Sequence, residues 1–91
     1  MVDPVVNIHF FSSAFCEPCM ATRGVLAEAA RLVPAVRVHE FDVARHVDEA
    51  AAAGIRVTPT VVVLDDARRE VFRAEGAPTL QQVLVALAKA V

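Results

Sequence analysis

Tryptophan and tyrosine are absent from this 91-residue chain, and phenylalanine supplies its whole aromatic content of 5%. Stacking platforms for nucleic-acid bases are therefore scarce. An excess of positive charge is missing too. Nine basic residues stand against eleven acidic ones, for a net charge of −2, so no nucleic-acid partner is expected. Long hydrophobic runs are lacking: a stretch such as Val61-Val62-Val63-Leu64 is far too short to span a bilayer, and no membrane partner is expected. The start of the chain has neither the positive region nor the cleavage pattern of a signal peptide, with Asp3 and Pro4 where that region would begin. The expected compartment is the cytoplasm. Cysteine is limited to two residues, Cys16 and Cys19. A permanent disulfide is unusual in the cytoplasm, so a close pair there points to redox chemistry or metal binding.

Apolar residues are plentiful. They make up 56% of the chain, chiefly Ala and Val, which excludes intrinsic disorder and supplies the dense core a small chain needs. The length suits a single domain spanning 1–91, and nothing in the sequence demands more than a monomer. Internal repeats, linkers and low-complexity tracts are not visible.

The hydrophobic pattern gives an order of elements. Val5 to Phe11 is β-branched and aromatic, and reads as a strand. After a Ser12-Ser13-Ala14 loop, Glu17 to about Leu32 is helical, with Val25, Ala29, Leu32 and Val33 on one stripe. Pro18 fits the first turn, where a missing N–H costs nothing, and Pro34 stops the helix. Val36 to about Phe41 alternates like a half-buried strand. His46 to Ala53 predicts a short helix stopped by Gly54. Thr60 to Leu64 suits a central strand covered on both faces. Arg69 to Ala74 returns as a hairpin strand after the Asp65–Arg68 turn. From about Thr79 a last helix places Leu80, Val83, Leu84, Leu87 and Val91 on one face. The fold class is α/β, in the order β-α-β-α-β-β-α. The first two strands pair in parallel through a crossover, and the last two form an antiparallel hairpin.

The segment Phe15-Cys16-Glu17-Pro18-Cys19 carries the chemistry. It follows a strand and opens a helix, leaving Cys16 before the free N–H groups of the first turn. The positive end of the helix dipole favours a thiolate there. Cys19 lies about one turn deeper and can reach back. In the cycle this suggests, Cys16 attacks a substrate disulfide and Cys19 resolves the mixed disulfide. The alternatives are a half zinc site or two buried core cysteines. Zinc asks for about four ligands; there is no second cysteine pair, and His9, His39 and His46 lack ligand spacing. Neither a metal nor a cofactor is expected. Phe15, Glu17 and Pro18 flank the cysteines and are the candidates for tuning them. Glu17 reads either as an ordinary helix N-terminal acid or as a charge that disfavours the Cys16 thiolate.

With these residues in view, the chain resembles the thioredoxin/glutaredoxin superfamily. Phe15-Cys16-Glu17-Pro18-Cys19 is similar to the family's aromatic-Cys-x-Pro-Cys. Gly54-Ile55-Arg56-Val57-Thr58-Pro59-Thr60 resembles the segment leading to its cis-proline. Glu75-Gly76-Ala77 resembles its glycine after the hairpin. The resemblance implies a minimal thioredoxin-like fold, a four-stranded mixed sheet flanked by helices, without the first strand and helix of a typical thioredoxin. It further implies that Pro59 is cis and faces the Cys16 sulfur, that the backbone of Thr58 pairs with an extended substrate strand, and that Gly76 leaves room for that strand. Taken alone, Pro59 reads as an ordinary strand-start proline.

Three positions depart from the family pattern. Phe10 stands where thioredoxins usually carry a buried carboxylate, Phe15 where they have Trp, and Met20 where they have a basic residue. The proton acceptor for Cys19 is thus not identified by the resemblance. The function implied is a protein disulfide reductase, recharged by a flavin-dependent, thioredoxin-reductase-like donor. Glutathione is the alternative donor, although glutaredoxin sites usually read Cys-Pro-aromatic-Cys and no charged set suits the tripeptide's carboxylates. A non-catalytic binding or redox-sensing module is the alternative from another class.

Overall fold

A computed structural model describes residues 4–91. Asp3, weighed above against a signal peptide, lies outside them. The elements run β1 (Val6–Ser12), α1 (Glu17–Leu32), β2 (Val36–Asp42), α2 (Val47–Ala52), β3 (Thr60–Leu64), β4 (Glu70–Glu75) and α3 (Leu80–Ala90). The order is the one the pattern predicts, with ends shifted by a residue or two. The strands form one mixed sheet in the order β2-β1-β3-β4. β1 and β2 are parallel, while β3 runs antiparallel to both β1 and β4.

The alternation of β1 divides the molecule. Val6, Ile8 and Phe10 face one way and join Val61 and Val63 of β3 in the core, which α1 and α3 cover with Cys19, Leu26, Ala29, Val83, Ala86, Leu87 and Ala90. Of the expected helix faces, Val25, Ala29 and Val33 and then Leu80, Val83, Leu84 and Leu87 lie in or against the core, and Leu32 and Val91 are corrected. The buried stripe of α1 is Cys19, Thr22, Leu26 and Ala29, and Leu32 is exposed. Thr22 enters the core because its hydroxyl is satisfied locally, donating to the Pro18 carbonyl at 2.8 Å. In α3 the face is Val83, Ala86, Leu87 and Ala90, and Val91 points to solvent. Alanines carry this contact surface, and their weak hydropathic contrast hides it from a pattern reading. Thr79 caps α3 in a reciprocal box with Gln82.

β3 is covered on both faces, as its apolar run predicts. β2 is not half-buried. It is an edge strand in which only Val36 is buried. Its far face carries His39 and Phe41 beside His9 of β1, with the His9 ring 5.5 Å from His39 and 5.2 Å from Phe41. Burial, and then the neighbouring His39 and Arg68, hold His9 below the ordinary imidazole pKa. The short α2 meets this face at its ends, where His46 packs against Phe41 and the Ala53 carbonyl accepts from Arg73. Gly54, at φ +68°, turns the chain out of α2 toward β3. Among the described residues, no helix is long and apolar enough to cross a membrane.

Candidate active site

β1 ends at Ser12, and three residues separate it from the N-cap of α1. So short a reversal demands an unusual torsion, and Phe15 supplies it at φ +55°. A left-handed non-glycine residue costs of order 1–3 kcal/mol and persists only where its surroundings enforce it. The Phe15 side chain is fully exposed, beside the cysteines, with Met20 also largely exposed.

Cys16 is the N-cap itself. Its backbone is extended, and its Sγ accepts the Cys19 N–H at 3.1 Å. A serine or aspartate oxygen ordinarily makes this bond; here sulfur does. The donor and the positive end of a 16-residue helix both favour negative charge on Cys16. The two cysteines are joined in a disulfide, with Cα atoms 5.1 Å apart. Their exposures differ: Cys16 is half-buried, whereas Cys19 is 1% exposed and part of the core. Glu17 and Pro18 open the helix with exposed side chains.

The loop between α2 and β3 meets the cysteine loop through Thr58 and Ser13. The Thr58–Pro59 bond is cis, and Pro59 is buried. The loop is pinned locally by Thr60 Oγ1, which donates to the Val57 carbonyl at 2.7 Å. The Gly76 N–H donates to the Pro59 carbonyl at 2.8 Å. Gly76 has φ +104°, a conformation L side chains rarely adopt, and space is open where a Cβ would stand. Thr58 Oγ1 lies 2.7 Å from Ser13 Oγ. Hydrogen bonds thus connect the cysteine loop, Thr58, the Pro59 loop and Gly76, which are scattered in sequence. Ser13 escapes a sequence reading, because its partner is 45 residues away and no local pattern marks the pairing.

Arg56, two residues before Thr58, is exposed but paired. Its guanidinium donates to both carboxylate oxygens of Glu75, at 3.1 and 2.7 Å, and holds that carboxyl below its usual pKa. On the core face, Phe10 is 1% exposed and the Arg23 guanidinium lies 5.9 Å from its ring centre. Arg23 pairs with Glu40, which also accepts from the buried Ser12 hydroxyl at 2.8 Å. Bonding to Arg23 holds Glu40 below the usual carboxylate range, which makes it a weak proton acceptor. No group of three or more His, Cys, Asp and Glu residues among those described could hold a metal ion.

The family model for thioredoxin matches residues 3–89. A thioredoxin from Methanocaldococcus jannaschii is 33% identical over 85 residues, covering 92% of this chain and 94% of that one. The chain belongs to the thioredoxin family. Solved thioredoxins share the fold. That of Fasciola hepatica superposes with a TM-score of 0.83 at 23% identity, covering 96% of this chain and 82% of that chain. Reduced Schistosoma mansoni thioredoxin gives 0.83 at 21% identity, covering 96% and 80%. Membership of the thioredoxin family and the adjacent Cys16–Cys19 pair together make this chain a thiol–disulfide oxidoreductase in the general sense.

Proposed function

We propose that the chain reduces disulfides in proteins, with Cys16 as the attacking thiolate and Cys19 as the resolving thiol. The observation that carries this is their asymmetry: Cys16 is the accessible sulfur at the helix N-terminus, and Cys19 is buried behind it. In the first step the Cys16 thiolate attacks one sulfur of the substrate. The substrate S–S bond breaks, a Cys16–substrate disulfide forms, and the departing thiolate takes a proton from solvent. In the second step Cys19 loses its proton and attacks Cys16. The mixed disulfide breaks, the second substrate thiol leaves, and the Cys16–Cys19 disulfide remains. Two electrons have passed from dithiol to substrate. A flavin-dependent, thioredoxin-reductase-like donor returns them.

Thr58, Pro59 and Gly76 receive the substrate chain. Thr58 offers backbone groups for strand pairing, and the open space at Gly76 accommodates the passing polypeptide. Phe15, Glu17 and Pro18 shape the entrance and tune Cys16. The proposed setting is the cytoplasm, where such a pair serves electron transport and redox homeostasis and is not a structural cross-link. The protein acts as a monomer.

The test is turnover on a disulfide-bonded protein such as insulin, with dithiothreitol as the donor. The expected result is reduction well above the rate with dithiothreitol alone, and little turnover when glutathione is the sole donor. No acceleration with either donor contradicts the proposal.

A further inference from the structure

The nucleophile and the cis-proline edge lie on different loops, so their relative placement depends on what joins those loops. Between residues 13–16 and 53–59, the one side-chain hydrogen bond among the described residues is Ser13 Oγ to Thr58 Oγ1, at 2.7 Å. That distance is ideal for two hydroxyls. Both side chains are half-buried, which limits competition from water. Both are also short. A single χ angle separates each oxygen from its backbone, and Thr is stiff at that angle. The bond therefore restrains the backbone of residue 58 directly.

Each end is anchored in turn. Ser13 follows the buried Ser12, whose hydroxyl donates to Glu40, while Thr58 precedes Pro59, whose carbonyl accepts from Gly76. Three residues on from Ser13 is Cys16.

We propose that Ser13 is a positioning residue: with Thr58 it forms a clasp that fixes the substrate-pairing edge relative to the Cys16 sulfur, favouring polypeptide disulfides over small ones. This rests on the protein-disulfide activity proposed above. A polypeptide held along residue 58 presents its disulfide at a set distance and angle from Cys16, and loosening the edge degrades that alignment. A small disulfide makes no use of the edge and does not sense the clasp.

The experiment is steady-state kinetics on a protein disulfide and on a small aromatic disulfide, using the full chain. For Ser13→Ala, KM for the protein disulfide is expected to rise about three- to tenfold with kcat little changed, the size of one lost hydrogen bond. The rate on the small disulfide should fall by less than about twofold, and the reduction potential of the cysteine pair should not move. Thr58→Val keeps the shape and removes the bond, so it should raise KM for the protein disulfide similarly. The double variant should be no worse than either single one. Equal losses on both substrates, a shifted potential, additive losses or no loss would each overturn the clasp. If the wild-type chain reduces the small disulfide but no protein disulfide, the underlying activity fails instead. If wild type and Ser13→Ala reduce both equally well, only the clasp fails.

Discussion

Cys19→Ser should stall the reaction with substrate covalently attached to Cys16, whereas Cys16→Ser should lose turnover altogether. The difference follows from where the two sulfurs sit. Cys16 caps α1, accepts an N–H from Cys19 and is reachable from solvent, so it alone can attack an incoming disulfide. Cys19, 1% exposed, meets only what is already bonded to Cys16. A serine hydroxyl is not ionised at neutral pH and cannot replace either sulfur as nucleophile. Mass spectrometry under non-reducing conditions should find a one-to-one adduct of Cys19→Ser with a protein disulfide substrate, released by added dithiol. Cys16→Ser should give no adduct. Vigorous turnover of Cys19→Ser on glutathione would point instead to a single-thiol cycle, and adduct formation by Cys16→Ser would reverse the roles.

Phe10→Asp, which restores the acid that the family resemblance places here, should destabilise the fold by at least about 4 kcal/mol. Removing a buried phenyl ring costs about 3–5 kcal/mol, and a carboxylate in the same apolar site adds a desolvation penalty. Phe10 is 1% exposed within the core shared by β1, α1 and α3, and the Arg23 guanidinium near its ring already serves Glu40. Burial should push the new carboxyl upward in pKa. The folded state then binds its proton at higher pH than the unfolded chain does. The penalty is therefore full at neutral pH and shrinks as pH falls through the folded value toward the unfolded one near 3.9. Urea unfolding between pH 7.5 and 4.5, against Phe10→Leu as an apolar control, checks both the size and the slope. A loss under about 1 kcal/mol, with faster turnover, would show that the apolar ring is dispensable and that Cys19 lacks a proton acceptor.

Much of the architecture is legible because its signals are local. Pro18 and Pro34 bracket α1, Gly54 stops α2, and the Thr60–Leu64 run has the composition of a strand buried on both faces. The core faces of the helices are less legible. Leu32 and Val91 follow the apolar pattern yet are exposed, Leu32 turned away from a core that Val33 still touches, while Thr22, Ala86 and Ala90 fill the core without a strong hydropathic mark. β2 alternates like a half-buried strand, but its position at the sheet edge exposes Val38, and sheet order is not written in one strand's own sequence. At the site, Cys16 and Cys19 announce themselves by spacing and placement. The contacts that tie together the loops around Thr58, Pro59 and Gly76 do not. Ser13 with Thr58, Arg56 with Glu75, and Gly76 with Pro59 are all pairings made through space.

The most direct test of the central claim is the reduction potential of the Cys16–Cys19 pair. The protein would be equilibrated in graded dithiol/disulfide buffers, and its free thiols trapped and counted by mass. A single two-electron transition near that of thioredoxin, at about −270 mV, is the expected result and identifies a reductant of cytoplasmic disulfides. A value near about −120 mV would identify an oxidant and contradict both the direction of electron flow and the compartment. Failure to form the intramolecular disulfide at any poise would contradict the oxidoreductase assignment itself.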